Sequence, residues 1–120
     1  MLDPNSFPHH RLHVFEASLE LAVTARSMAD RIPRGVRNLA DQLMRASTSI
    51  PLLIAEGANR RTSPQKRQRF VEARGETGEA AAAFELAARL DLVPVEVAEE
   101  GVRQAAQVAA MLSGLIRRHS

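Results

Sequence analysis

At 120 residues and with no cysteine, the chain has room for a single core and excludes disulfides, thiolate nucleophiles and thiolate metal sites. Its formal charge is +2, yet the positive side is 15 Arg against one Lys, and the absence of Tyr and Trp argues against base recognition by stacking. No apolar run approaches the roughly 18 residues of a membrane span, and the opening MLDPNSFPHH lacks a signal-peptide core, so a soluble, cytoplasmic chain without membrane contact is expected.

Residues 1 to 8 hold Pro4 and Pro8 and little else, and read as a loose arm. A first helix is expected from about Pro8 to Ile32. Leu12, Phe15, Leu19, Ala22 and Ala29 form one apolar stripe, and Leu21, Ala25, Met28 and Ile32 a neighbouring one. Pro33-Arg34-Gly35 stops it. His9 and His13 are four apart, a spacing that metal ligands use on one helical face. No carboxylate stands beside them to complete a shell, so they read as a solvated helix start, and no metal or other cofactor is expected.

The second helix, from about Val36 to Asn59, holds the stretch QLMRASTSIPLLIAEG from Gln42 to Gly57. Leu43, Ala46, Ile50, Leu53 and Ile54 give it a buried stripe. Pro51 cannot donate to the carbonyl of Ser47 and crowds it, which predicts a bend there. The third helix begins near Pro64, with Thr62 and Gln65 spaced as a capping box, and ends near Leu90. Phe70, Ala73, Thr77, Ala81, Phe84 and Ala88 form its stripe. Gly75 and Gly78 inside it each cost about 1 kcal/mol against Ala, so a close backbone approach is expected there. A fourth helix follows Pro94 and runs to Arg117-Arg118, with Val97, Val102, Ala105, Val108, Leu112 and Leu115 facing the core.

Four long amphipathic helices with short connections predict an all-α, up-down-up-down four-helix bundle in one domain. The second and third helices, antiparallel about a turn near Arg61, should bring Ser47 and Ser49 to the Ala73–Gly75 region. The same register sets Arg45 near Glu76 and Glu79, and Glu56 near Lys66 and Arg67. No catalytic constellation emerges. No His lies in reach of Ser47 or Ser49, no Glu-x-x-His pair faces another, and Gly75-Glu76-Thr77-Gly78 lacks the Lys-Ser/Thr end of a phosphate loop. A non-enzymatic role is expected.

Gln42-Leu43-Met44-Arg45-Ala46, Ser49-Ile50-Pro51 and Ile54-Ala55-Glu56-Gly57 occur in order, followed by Ala73-Arg74-Gly75 with Glu79. Together they resemble the two motifs of the four-helix-bundle family of 23S rRNA intervening-sequence proteins, over Leu12 to Ile116. The chain departs from the family pattern at Leu52 and Leu53, where a small polar residue and Asn are usual, and at Glu76, where Ser is usual. The resemblance implies a ring-shaped homopentamer. It also implies kinship with two groups: accessory proteins of diversity-generating retroelements, which bind nucleic acid and a reverse transcriptase, and proteins encoded inside ribosomal RNA genes without a settled activity.

Charge placement supplies the functional candidate. From Asn59 to Arg74 the chain carries Arg60, Arg61, Lys66, Arg67, Arg69 and Arg74 against Glu72 alone. Such a patch can neutralise RNA or DNA phosphates with little sequence preference. From Gly75 to Glu100 the balance reverses, with seven acids against Arg89. In the fourth helix Ala106 and Ala110 widen the apolar face beyond one core stripe, which points to a subunit interface. The leading expectation is an oligomeric scaffold that binds nucleic acid. The alternative is a structural protein–protein adaptor, without nucleic-acid binding, whose basic surface pairs only with its own acids or with a protein partner.

Overall fold

Four helices and no strand make up the residues described by the computed structural model, 6 to 120: α1 His13–Ala29, α2 Arg37–Ala58, α3 Ser63–Arg89 and α4 Val95–Arg118. Each packs on its sequence neighbours and α1 closes against α4, which is the up-down-up-down bundle expected from four amphipathic stretches. None of these helices is long and apolar enough to cross a membrane. Of the proposed loose arm, residues 1 to 5 lie outside the described residues, and Ser6 and Phe7 are exposed.

The first helix is shorter than its periodicity predicts. Pro8–Arg11 forms a separate 3-10 turn, and Leu12 is extended before α1 begins. Long-range contacts account for the break. Asn59 at the end of α2 donates to His9 Nδ1 at 3.0 Å, and His9 packs edge-on to Phe15. His9 and His13 therefore sit on different segments rather than on one helical face. The α1 core is Val14, Ser18, Leu21, Ala25 and Met28, a four-three alternation that runs the whole helix. The Leu12–Ala29 stripe lies at its edge, and Leu19 is exposed.

In α2, Leu43, Ala46, Ile50 and Ile54 are fully buried as the spacing predicts, while Leu53 is half-buried. The helix runs from Arg37 to Ala58 with Pro51 buried inside it. Thr48 Oγ1 donates back to Met44 O at 2.7 Å and Ser49 Oγ to Ala46 O at 2.8 Å, just ahead of the proline. The Ser47 hydroxyl is buried without a partner.

The capping box of α3 is formed. Gln65 N donates to Thr62 Oγ1 at 3.3 Å, and Thr62 N donates to Gln65 Oε1 at 3.4 Å. Phe70, Ala73, Thr77 and Phe84 are core as expected. Ala80, Ala83 and Ala87 are buried in preference to Ala81 and Ala88, which are half-buried. In α4, Ala105, Val108, Leu112 and Leu115 are core, whereas Val97 and Val102 are half-buried.

The glycines correct one expectation. A Cβ on Gly75 or Gly78 would meet nothing within 4 Å, and both residues face solvent, so neither marks a contact within the chain. The close approaches are at Gly57, where a Cβ would lie 2.8 Å from the Phe70 ring, and at Gly101, where it would lie 2.4 Å from Phe84. Each glycine lets a neighbouring helix bring a phenylalanine onto its backbone.

Candidate nucleic-acid interface

The α2–α3 hairpin carries two ion networks at different heights. Midway along it, Arg45 bonds to Glu79 and lies 3.5 Å from Glu76. Ser49 Oγ lies 3.0 Å from Glu76 Oε2, within donating distance. Glu79, bonded to Arg45, pushes the guanidinium still further toward its protonated form. The Glu76 carboxylate thus ties Arg45 to Ser49. These residues, with buried Pro51 and the Gly57–Phe70 contact, hold α2 to α3. The motif is a clamp between helices at Arg45, Ser49, Glu79 and Gly57, while Gly75 stands outside it.

The second network lies nearer the turn, and its partners differ from those expected. Glu56 pairs with Arg60 at 2.7 Å and Arg69 at 2.9 Å, not with Lys66 and Arg67. Arg69 also holds Glu72 at 2.9 Å. The hydrogen bond from Arg60, then the charge of Arg69, hold the Glu56 carboxyl below the usual carboxylate range against partial desolvation. The reason is the helical face. Arg69 and Phe70 point at Gly57, so Arg67 is turned away toward α4 and Lys66 sits one turn earlier, beside the end of α2. Lys66 Nζ donates to Ala58 O at 2.9 Å, capping that end.

The basic run is therefore divided. Arg60 and Arg69 are compensated by carboxylates. Arg61, Lys66, Arg67 and Arg74 make no ion pair among the described residues. Arg61 is exposed in the turn. Arg67 and Arg74, two helical turns apart, reach only hydroxyls on or just beyond α4: Ser120 at 3.4 Å and Ser113 at 2.6 Å.

Residues outside the sequence-derived patch join it. The antiparallel packing of α3 on α4 brings the Arg117–Arg118 end of α4 to the start of α3, where His119 Nδ1 lies 3.3 Å from Ser63 Oγ. His119 is shifted toward its neutral form, by burial first and then by the nearby Lys66 and Arg118 charges. Arg118 also lines a groove with Arg11. The signal for these was present in the sequence, where Arg117 and Arg118 mark the end of the fourth helix. The same register that pairs the second and third helices sets that end beside the third helix's start. Among the described residues, no three His, Asp or Glu side chains gather as metal ligands would.

Known proteins confirm this architecture. The chain is similar to a solved structure of a protein of unknown function from the S23 ribosomal protein family of Bacteroides thetaiotaomicron VPI-5482. The TM-score is 0.82 at 22% identity, covering 87% of this chain and 98% of that one, a likeness that shows the fold. No curated protein matches the chain. The model of the 23S rRNA-intervening sequence protein family matches residues 10–114, which span both motifs, the first three helices and most of the fourth. With a match of that extent over the clamp and the bundle that it holds together, the chain belongs to the 23S rRNA-intervening sequence protein family.

Proposed function

We propose that the protein is a non-enzymatic, oligomeric scaffold that binds the phosphate backbone of RNA or DNA with its basic end. The observation that carries this reading is the convergence of Arg61, Lys66 and Arg67, none paired with a carboxylate, with Arg117 and Arg118 at one end of the bundle, while Arg74, equally without a carboxylate, extends the basic surface two turns along α3. Cations already held by carboxylates gain little from a phosphate, whereas uncompensated ones can release its counterions. With Phe70 and Phe84 buried, few aromatic faces remain for bases, so contacts should fall on the backbone.

Binding to unrelated RNA and DNA, followed by fluorescence anisotropy, should fall steeply with salt and vary little with sequence. Replacing Arg61, Lys66, Arg67 and Arg74 together by Gln should abolish it at about 0.15 M salt, where the screening length is roughly 8 Å, and leave helix content intact. Replacing Arg60 and Arg69 should weaken it far less. No binding by the wild type at low salt would favour the protein–protein adaptor instead.

The reading includes a ring of copies, a pentamer, in which repeated weak sites add by multivalency. Exposed Gly75 and Gly78 on α3 and exposed Ala106 and Ala110 on α4 support it. The glycines weaken α3 without an internal contact in return, and the alanines are apolar surface unused by the core. Light scattering should give several times the 13.1 kDa chain mass. Ala106→Glu or Ala110→Glu should lower that mass without loss of helix, because each would bury an unpaired charge; a wild-type monomer at micromolar concentration would refute the ring. A protein partner, a reverse transcriptase among the candidates that the family resemblance implies, belongs to the same reading, as does a cytoplasmic setting.

A further inference from the structure

A groove of about 760 Å³ lies at the other end of the α3–α4 pair, away from the cations just described. Ala88 from α3 and Ala98 and Val102 from α4 give it an apolar floor, and Val95 stands at its edge, 54% exposed.

The rim gathers carboxylates that, unlike those in the two α2–α3 ion networks, are not held by arginines. Glu56, Glu72, Glu76 and Glu79 are each held by an arginine. Glu85, Asp91 and Glu99 on the rim make no ion pair among the described residues, nor does Glu96 nearby. Of the two rim arginines, Arg103 is already bonded to Glu100, at 2.7 and 2.8 Å, and Arg89 alone opposes the carboxylates.

We propose that this groove docks a cationic amphipathic helix of a protein partner. A groove between two antiparallel helices, floored with small side chains, fits an apolar helix face presented at i, i+3, i+4 and i+7. Lysines or arginines flanking that face would meet Glu85, Asp91 and Glu99, which have no cation of their own. The same carboxylates repel phosphate, so nucleic acid is the wrong occupant. A second copy is a poorer one. Its basic end, the part of this chain whose charge matches the rim, offers Val71 as the exposed large apolar side chain between Arg67 and Arg74, too little to fill a groove of this size, and the subunit contact proposed at Gly75, Gly78, Ala106 and Ala110 lies nearer the middle of the two helices. The inference stands independently of the nucleic-acid reading and uses none of its residues.

The test uses the full chain and two labelled leucine–lysine peptides of about 18 residues, five helical turns. One carries its leucines on a single helical face, and the other has the same composition with leucines spread around the helix. Anisotropy at about 0.15 M salt should show the amphipathic peptide binding at least about tenfold more tightly, a difference of roughly 1.4 kcal/mol. Amide signals of Ala88, Ala98 and Val102 should shift on its addition. Glu85→Gln with Glu99→Gln, both exposed positions, should weaken it about tenfold or more, and Val95→Ser should reduce the preference between the peptides. Circular dichroism, measured on the same variants, should not change, and RNA binding should not weaken, since only negative charge is removed. Equal binding of the two peptides, shifts confined to other surfaces, or full binding by the Glu85→Gln/Glu99→Gln variant would each overturn the proposal. A fall in particle mass as peptide is added would assign the groove to a second copy instead. Loss of RNA binding in the wild type with peptide binding intact would sink the function proposed above and leave this one standing.

Discussion

Gly101→Ala is expected to destabilise the domain by about 1–3 kcal/mol, although alanine is the better helix former. The new methyl would lie 2.4 Å from the Phe84 ring, a distance at which the ring or one of the helices must move. Phe84 is fully buried, so it has no open space to retreat into. Gly114→Ala, in the same helix, is the control. Its nearest neighbour would be the end of the Arg117 side chain at 4.0 Å, and the substitution should stabilise by about 0.5–1 kcal/mol. Phe84→Ala alone should cost about 3–5 kcal/mol. In that background Gly101→Ala should change sign and stabilise, because the obstructing ring is gone. Denaturant unfolding of the four variants reads all of this. A stabilising Gly101→Ala in the wild-type background would show that α3 and α4 do not touch there.

Ile50→Ala is the second large effect, a loss of about 2–5 kcal/mol against a total domain stability of about 5–15 kcal/mol. Ile50 has no exposed surface and lies one residue before the buried Pro51, which removes a backbone hydrogen bond and leaves α2 dependent on packing at that level. Leu43→Ala, equally buried, should fall in the same range of about 2–5 kcal/mol. Leu52→Ser makes the contrast: Leu52 is 69% exposed, so the change should stay within about 0.5 kcal/mol. Equal losses at Ile50 and Leu52 would mean that the inward face of α2 has been misassigned.

Much of this architecture was legible in the residues. The helix boundaries at Thr62 and Pro94, the α2 stripe and the pairing of Arg45 with Glu76 and Glu79 all follow from periodicity, capping and antiparallel register. Other features were not, and for identifiable reasons. A glycine inside a helix leaves the same trace in sequence whether it faces a partner helix or water. The contacts at Gly57 and Gly101, and the openness of Gly75 and Gly78, become visible only when the helices are placed. Ala80 to Ala83 are four alanines in a row, so periodicity cannot choose which of them face inward. The break at Leu12 depends on Asn59, 50 positions from His9. In the candidate interface the run of cations was plain, but its division into compensated and uncompensated members was not. That division turns on which flank of Phe70 faces α2: Arg69 lies on one side of it and reaches Glu56, Arg67 on the other and reaches Ser120, and a register estimate along the helix axis does not say which side is which.

The charges on α3 run in the direction that its own peptide dipoles disfavour. Its first turn holds no acid, and Lys66 and Arg67 crowd the end where unpaired N–H groups already carry partial positive charge. At the end where carbonyls carry partial negative charge, Arg89 sits in the last turn, but Glu85 just before that turn and Asp91 just past the helix outnumber it. The opposite arrangement would stabilise the helix by about 0.3–1 kcal/mol per charge. What the helix gains instead is a stronger far field, since backbone and side chains there add rather than cancel. A polyanion at a distance of one or two Debye lengths meets a molecule that tends to turn, start of α3 foremost, before any contact is made. Capture should then be limited by diffusion and rotation more than by local search, with an association rate that drops sharply as ionic strength rises and a dissociation rate that changes less.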